Sequence, residues 1–184
     1  KLSPYPDTKE VPGETVSKRK GFDELPGLLQ RAKELGLVFT KWRTTFNINK
    51  DNGLPTDGNI LRNSADQAEE AFQTQQAGLV PMVEPEVVME KGTHDIETAR
   101  KATQRVLEGT FKAIAQRGVW LEGMILKTSM VVAGQKALDR SNPERVADLT
   151  LITLLKTVPA EVPAIVFLSG GQGDEEVNRN LNAI

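Results

Sequence analysis

Lys127 lies in the apolar segment Met124-Ile125-Leu126-Lys127-Thr128-Ser129-Met130. A lysine in such a run is either paired, extended towards water, or used for its chemistry. An amine attacks a ketone only in its neutral form, which burial and a neighbouring cation both favour. Lys127 is therefore a candidate Schiff-base nucleophile, with Lys41 as the candidate second cation. Glu84 and Glu86 flank Pro85 and, two apart on a strand, point the same way. Either carboxylate could move protons, or both could serve as strand-end ion-pair partners of Lys41 or Arg43. Lys41 and Arg43 obey the same two-residue rule, as an anion site or a structural charge cluster, with Trp42 turned towards the helices. Ser169-Gly170-Gly171 offers backbone N–H groups that could cradle phosphate, although a Gly-Gly turn by itself is more often a tight βα loop. His94, the sole histidine, reads as a solvated loop residue, and without cysteine or a second histidine a metal site is not expected.

Around these residues, short apolar runs alternate with amphipathic stretches. Leu25, Leu28, Leu29, Ala32 and Leu35 have helical spacing, with Gly36 as the stop. A run at Leu37–Phe39 leads into Lys41-Trp42-Arg43, followed by a polar loop over 47–59. A helix is expected over 64–77, with Ser64 as N-cap and Gly78 as terminator. The pattern then repeats. A run at Leu79–Val83 is followed by a helix over 95–116, capped by Asp95 and closed by Gly118. A run over 119–130 precedes a helix that opens at Asn142-Pro143-Glu144. A last run at Ile165–Leu168 precedes a helix opened by Asp174-Glu175-Glu176. Apolar throughout, these strands fit a parallel sheet buried on both faces. Residues 1–20 read as a loop-like lead-in to a single domain spanning 1–184.

Lys41, Glu84, Lys127 and Ser169 end successive apolar runs at intervals of 43, 43 and 42 residues. That regularity predicts one position repeated in each strand-helix unit. In a (β/α)8 TIM barrel such positions form the floor of the active site; a doubly wound sheet is the alternative. Four units are about half to two thirds of such a barrel, so the chain reads as an internal portion of a larger one.

The global charge adds little. Twenty-three Lys and Arg against 25 Asp and Glu leave a formal charge of −2. No overall field recruits nucleic acid or an anionic membrane, so an anionic ligand needs a local cluster. No apolar run approaches the roughly 18 residues of a membrane-crossing helix.

Together the segments Lys41-Trp42-Arg43, Gly78 to Glu86, Leu121 to Lys127, Phe167 to Gln172 and Asn180 to Ile184 closely resemble class I fructose-bisphosphate aldolase. The resemblance runs from about Gly21 to the end. It implies a (β/α)8 barrel that cleaves fructose 1,6-bisphosphate reversibly into two triose phosphates, without metal or other cofactor. It further implies a homotetramer in the cytoplasm, or in a plastid, with sugar phosphates rather than nucleic acid or membrane as partners. By the same resemblance, Lys127 matches the Schiff-base lysine and Glu84 the proton-transfer carboxylate. Lys41 matches a lysine that contacts substrate and supports later proton steps. Ser169, Gly170 and Gly171 match the loop for the substrate's first phosphate, and Arg43 matches a nearby arginine. Thr128 stands where the family usually has Pro, and Arg19-Lys20 resembles a small insertion. Counterparts of the family's first-strand Asp, third-strand Lys and eighth-strand Ser and Arg are not present in this sequence. A transaldolase-like Schiff-base barrel, or a non-catalytic scaffold with the aldolase fold, are the alternative readings.

Overall fold

A computed structural model describes residues 12–14, 22–90 and 92–184. The lead-in over 1–20, apart from 12–14, and the Arg19-Lys20 insertion lie outside the described residues. Among the described residues, the elements run α1 (Leu25–Glu34), β1 (Phe39–Asn47), α2 (Asp57–Gln76), β2 (Val80–Val88) and α3 (Ile96–Arg117). A 3-10 turn (Leu121–Gly123) then leads to β3 (Ile125–Ser129), α4 (Pro143–Thr157), β4 (Ile165–Leu168) and α5 (Asp174–Ala183).

Several boundaries follow from local chemistry. Asp95 accepts from the Thr98 N–H at 2.7 Å, and Asn142 accepts from the Arg145 N–H at 2.9 Å, with Pro143 in the first turn. Each satisfies a helical N–H that would otherwise lack a partner. Gly118 ends α3 with φ of 75°, a left-handed cap that suits glycine. The expected start of α2 at Ser64 is corrected to Asp57. Thr56 is the N-cap and accepts from the Asn59 N–H at 3.1 Å. Ser64 is instead buried inside the helix, its hydroxyl 3.3 Å from that of Thr110 on α3.

The strands form one parallel sheet in the order β1-β2-β3-β4. Sequential order, with a helix between each neighbouring pair, is the arrangement of a partial TIM barrel rather than of a doubly wound sheet. One face packs on the helices. Trp42 and Phe46 from β1, Val83 and Val87 from β2, and Leu126 from β3 bury against α1 to α4. Trp42 thus faces the helices, as its spacing predicts, and its indole N–H donates to Thr74 at 3.4 Å. The expectation of strands apolar and buried on both faces is corrected: β4 is largely exposed, and β1 carries polar residues at alternate positions. A separate apolar cluster of Met89, Ile96, Met130, Val131, Val132, Val146 and Leu149 lies beyond the strands' carboxyl ends, beneath the loops.

Candidate active site

The sheet face turned away from the helices carries Lys41 and Arg43, Glu84 and Glu86, and Lys127. β1 and β2 pair with Arg43 opposite Glu84, and Lys41 opposite Met82. β2 and β3 pair with Val83 opposite Leu126, so Lys127 follows level with Glu84. Lys127 in turn faces Val166, and β4 ends at Leu168 before Ser169 is reached. The 43-residue recurrence is therefore inexact in space. Glu84 and Lys127 share a level, Lys41 sits two residues lower, and Ser169 lies beyond its strand. Neither Lys41 nor Glu84 is a strand end, because β1 continues to Asn47 and β2 to Val88, and Lys127 lies two residues before the end of β3.

Side-chain reach closes that gap. Glu84 is 3% exposed, with one carboxylate oxygen 3.1 Å from Lys41 Nζ and the other 3.4 Å from Lys127 Nζ. A carboxylate so deeply withdrawn from water needs opposite charge beside it. The Lys41 contact is one of charge and not a directed hydrogen bond, since that oxygen, Oε2, accepts none. Lys127 is partly shielded, its side chain 27% exposed, whereas Lys41 reaches further into solvent at 44%. The next carboxylate, Glu86, accepts from the Arg43 guanidinium. That bond, more than the neighbouring charges of Glu86, Glu84 and Glu90, raises the Arg43 pKa above its ordinary value. The ion-pair reading and the chemical reading of these residues therefore describe one array: two carboxylates, each held by a cation from β1, and one of them also touching Lys127.

Ser169, Gly170 and Gly171 form a turn between β4 and α5. Gly170 and Gly171 take φ of 60° and 78°, where a side chain would be strained. The Gln172 N–H and side-chain amide both donate to the Ser169 carbonyl, at 3.1 and 2.9 Å. Gln135, which no pattern in the sequence singles out, donates from its side-chain amide to the Gly171 carbonyl. Its part depends on a contact between loops 36 residues apart, and the neighbouring Gly134 is the only local hint.

His94 corrects the expectation of a solvated residue. It is 6% exposed, and burial lowers its pKa below the ordinary imidazole value, with Lys50 and Arg140 adding to the effect and Asp95 opposing it. Among the described residues, no group of three His, Asp or Glu side chains could hold a metal ion. No helix among them is long and apolar enough to cross a membrane.

A glycolytic family model described as fructose-bisphosphate aldolase class-I matches residues 8–184. A probable fructose-bisphosphate aldolase class 1 of Xanthomonas axonopodis pv. citri is 45% identical over 172 residues, covering 94% of this chain and 50% of that protein. The non-muscle fructose-bisphosphate aldolase of Lethenteron camtschaticum is 44% identical over 168 residues, covering 91% of this chain and 45% of its own length. The chain thus spans about half the length of the curated relatives it matches. A solved structure of fructose-bisphosphate aldolase from Plasmodium falciparum, in complex with TRAP and a small molecule inhibitor, superposes with a TM-score of 0.86 at 43% identity. The match covers 89% of this chain and 47% of that one. Sequence identity of this order, over a sheet and helices that superpose as one body, settles the family: this chain belongs to the class-I fructose-bisphosphate aldolases.

Proposed function

We propose that the native protein cleaves fructose 1,6-bisphosphate reversibly to dihydroxyacetone phosphate and glyceraldehyde 3-phosphate through a Schiff base on Lys127. The observation that carries this reading is the Lys41–Glu84–Lys127 array, with one buried carboxylate within 3.4 Å of both ammonium groups. Neutral Lys127 adds to the C2 ketone, and the carbinolamine loses water to give an iminium. A base removes the C4 hydroxyl proton, and the C3–C4 bond breaks. Its electron pair passes to the iminium, leaving an enamine on Lys127 and releasing the aldehyde. Protonation at C3 and hydrolysis then free the second triose phosphate and restore the lysine. Glu84 takes the proton that Lys127 sheds and carries protons in the later steps, a reading that its contact with Lys127 supports. Lys41 contacts substrate, and the N–H groups of Ser169, Gly170 and Gly171 hold its first phosphate.

The family likeness supports a metal-independent enzyme, a homotetramer in the cytoplasm, acting on sugar phosphates and not on nucleic acid or membrane. The test is borohydride reduction during turnover, which converts an imine to a stable secondary amine. Peptide mapping should place the added mass on Lys127 and not on Lys41. Lys127→Arg should abolish trapping, because a guanidinium stays protonated. EDTA should leave turnover unchanged. An active enzyme with no adduct at Lys127, or one that EDTA stops, overturns the assignment.

A further inference from the structure

Three loops leave the carboxyl ends of β2, β3 and β4, and they are fastened to one another. In the loop after β3, the Gly134 N–H donates to the His94 carbonyl at 2.9 Å. The Gln135 N–H donates to Met89 at 3.0 Å, and the Lys136 N–H to Gly92 at 2.8 Å. The two backbones approach so closely that a Cβ at Gly134 would lie 2.3 Å from the Gly92 carbonyl oxygen. Backbone bonds to the loop that follows Glu84's strand thus anchor residues 134–136. From that base the Gln135 side chain reaches the turn after β4 and donates to the Gly171 carbonyl. A Cβ at Gly171 would lie 2.6 Å from the Gln135 amide nitrogen and 2.9 Å from Glu90 Cγ, so both side chains close directly over this glycine.

We propose that Gln135 is a positioning residue for the substrate's phosphate, holding the Ser169–Gly171 turn in the conformation that receives it. The inference rests on the reading of that turn given under Proposed function. Two adjacent glycines have wide backbone freedom, which phosphate binding would have to remove. A trans peptide is a rigid plane, so fixing the Gly171 carbonyl also fixes the Gln172 N–H. That N–H already donates to Ser169 at 3.1 Å, and the Gln172 side-chain oxygen accepts from Asn180 at 2.6 Å. The turn is thereby held from α5 on one side, and from the β3 loop, through Gln135, on the other. Lys127 and Glu84 stand on strands with their own ladder, so loosening the turn acts on binding rather than on chemistry.

Gln135→Met keeps the length and removes the donor; Gln135→Glu keeps the shape and replaces the donor with an acceptor. In the native enzyme, the Met variant should raise KM for fructose 1,6-bisphosphate about 3- to 10-fold, the usual worth of one hydrogen bond. The inhibition constant for inorganic phosphate should rise by a similar factor, and the Glu variant should raise both further. Turnover at saturation should stay at the parent's value, and the melting temperature should fall by no more than a few degrees. Unchanged KM and phosphate inhibition in both variants overturn the inference, and so does a fall in kcat at constant KM. A parent protein that neither cleaves the sugar bisphosphate nor is inhibited by phosphate overturns the proposed function itself, and the inference with it.

Discussion

Glu84 answers two lysines with two oxygens while almost out of contact with water. Glu86, two residues on, answers a single arginine. The difference in partners separates their expected roles. Glu84→Gln keeps volume and shape but loses the charge and the capacity to take a proton. Lys41 and Lys127 are partly exposed, so water can solvate them when that charge goes. We expect kcat to fall ~10²-fold or more, with a smaller change in KM. Steady-state cleavage assays on the purified variant measure both. A kcat at the parent's level would transfer the proton role to another group. Glu84 and Lys127 were both legible in the sequence, because a lysine within an apolar run and a carboxylate at the end of one demand an explanation. Their contact was not legible, since it depends on a register between strands that residue spacing does not encode.

The elements show why some boundaries could be read and others could not. Asp95, Asn142 and Gly118 announce helix ends with local chemistry that survives any tertiary context. The first turn of α2, Asp57-Gly58-Asn59, has the composition of a loop. It becomes helical because Thr56 caps it and Ile60 buries beside Phe46, Val87 and Val106. The second half of β1 was hidden for the opposite reason: Thr44 and Thr45 are polar and follow the last residue that spacing placed on the strand, yet they pair residue by residue with Pro85 and Glu86. Spacing did assign the face of Trp42 on β1, and β3 divides its two faces in the same alternating way, which supports a prediction. Leu126 is fully buried against the helices, opposite in face to Lys127. Leu126→Ala should cost about 2–5 kcal/mol of stability through the cavity it leaves. At a temperature where the variant stays folded, borohydride should still label Lys127, because the backbone pairing of β3 does not depend on that side chain. Chemical denaturation gives the first quantity and peptide mapping the second. A stability unchanged from the parent's would mean that the helical face of β3 is not the core described.

One face of the sheet is covered by helices, the other bears charge, and the loops at one end are tied together. His94 sits in those ties: its carbonyl accepts from Gly134, and its ring packs where a Cβ on Gly92 would come within 2.6 Å. The histidine was legible as a loop residue just before a capped helix, but its burial was not. The residue is buried where the loop of Gly134–Lys136 is bonded to its own backbone and where Ile48 to Asp51 line the adjoining cavity, contacts 40 or more residues away in sequence. That burial sets an acid response. With its folded pKa held below the ordinary 6.5, the folded protein binds this proton less readily than the unfolded chain. The contribution is fully present above about pH 6.5 and is lost as pH falls through that value towards the folded pKa. Glu69 and Glu97 are lowered from the ordinary 4.5, chiefly by hydrogen bonds from Arg117 and Arg100 respectively, so their contributions are lost only at lower pH. The melting temperature should therefore be level from pH 8 to about 7, decline gradually below about 6.5, and decline again below about 4.5. His94→Asn, which cannot titrate, should lose the first decline and keep the second. Thermal melts across that range check this. A parent curve flat between pH 7 and 5, or a His94→Asn curve that keeps the first decline, would show that the histidine does not couple these loops to acid.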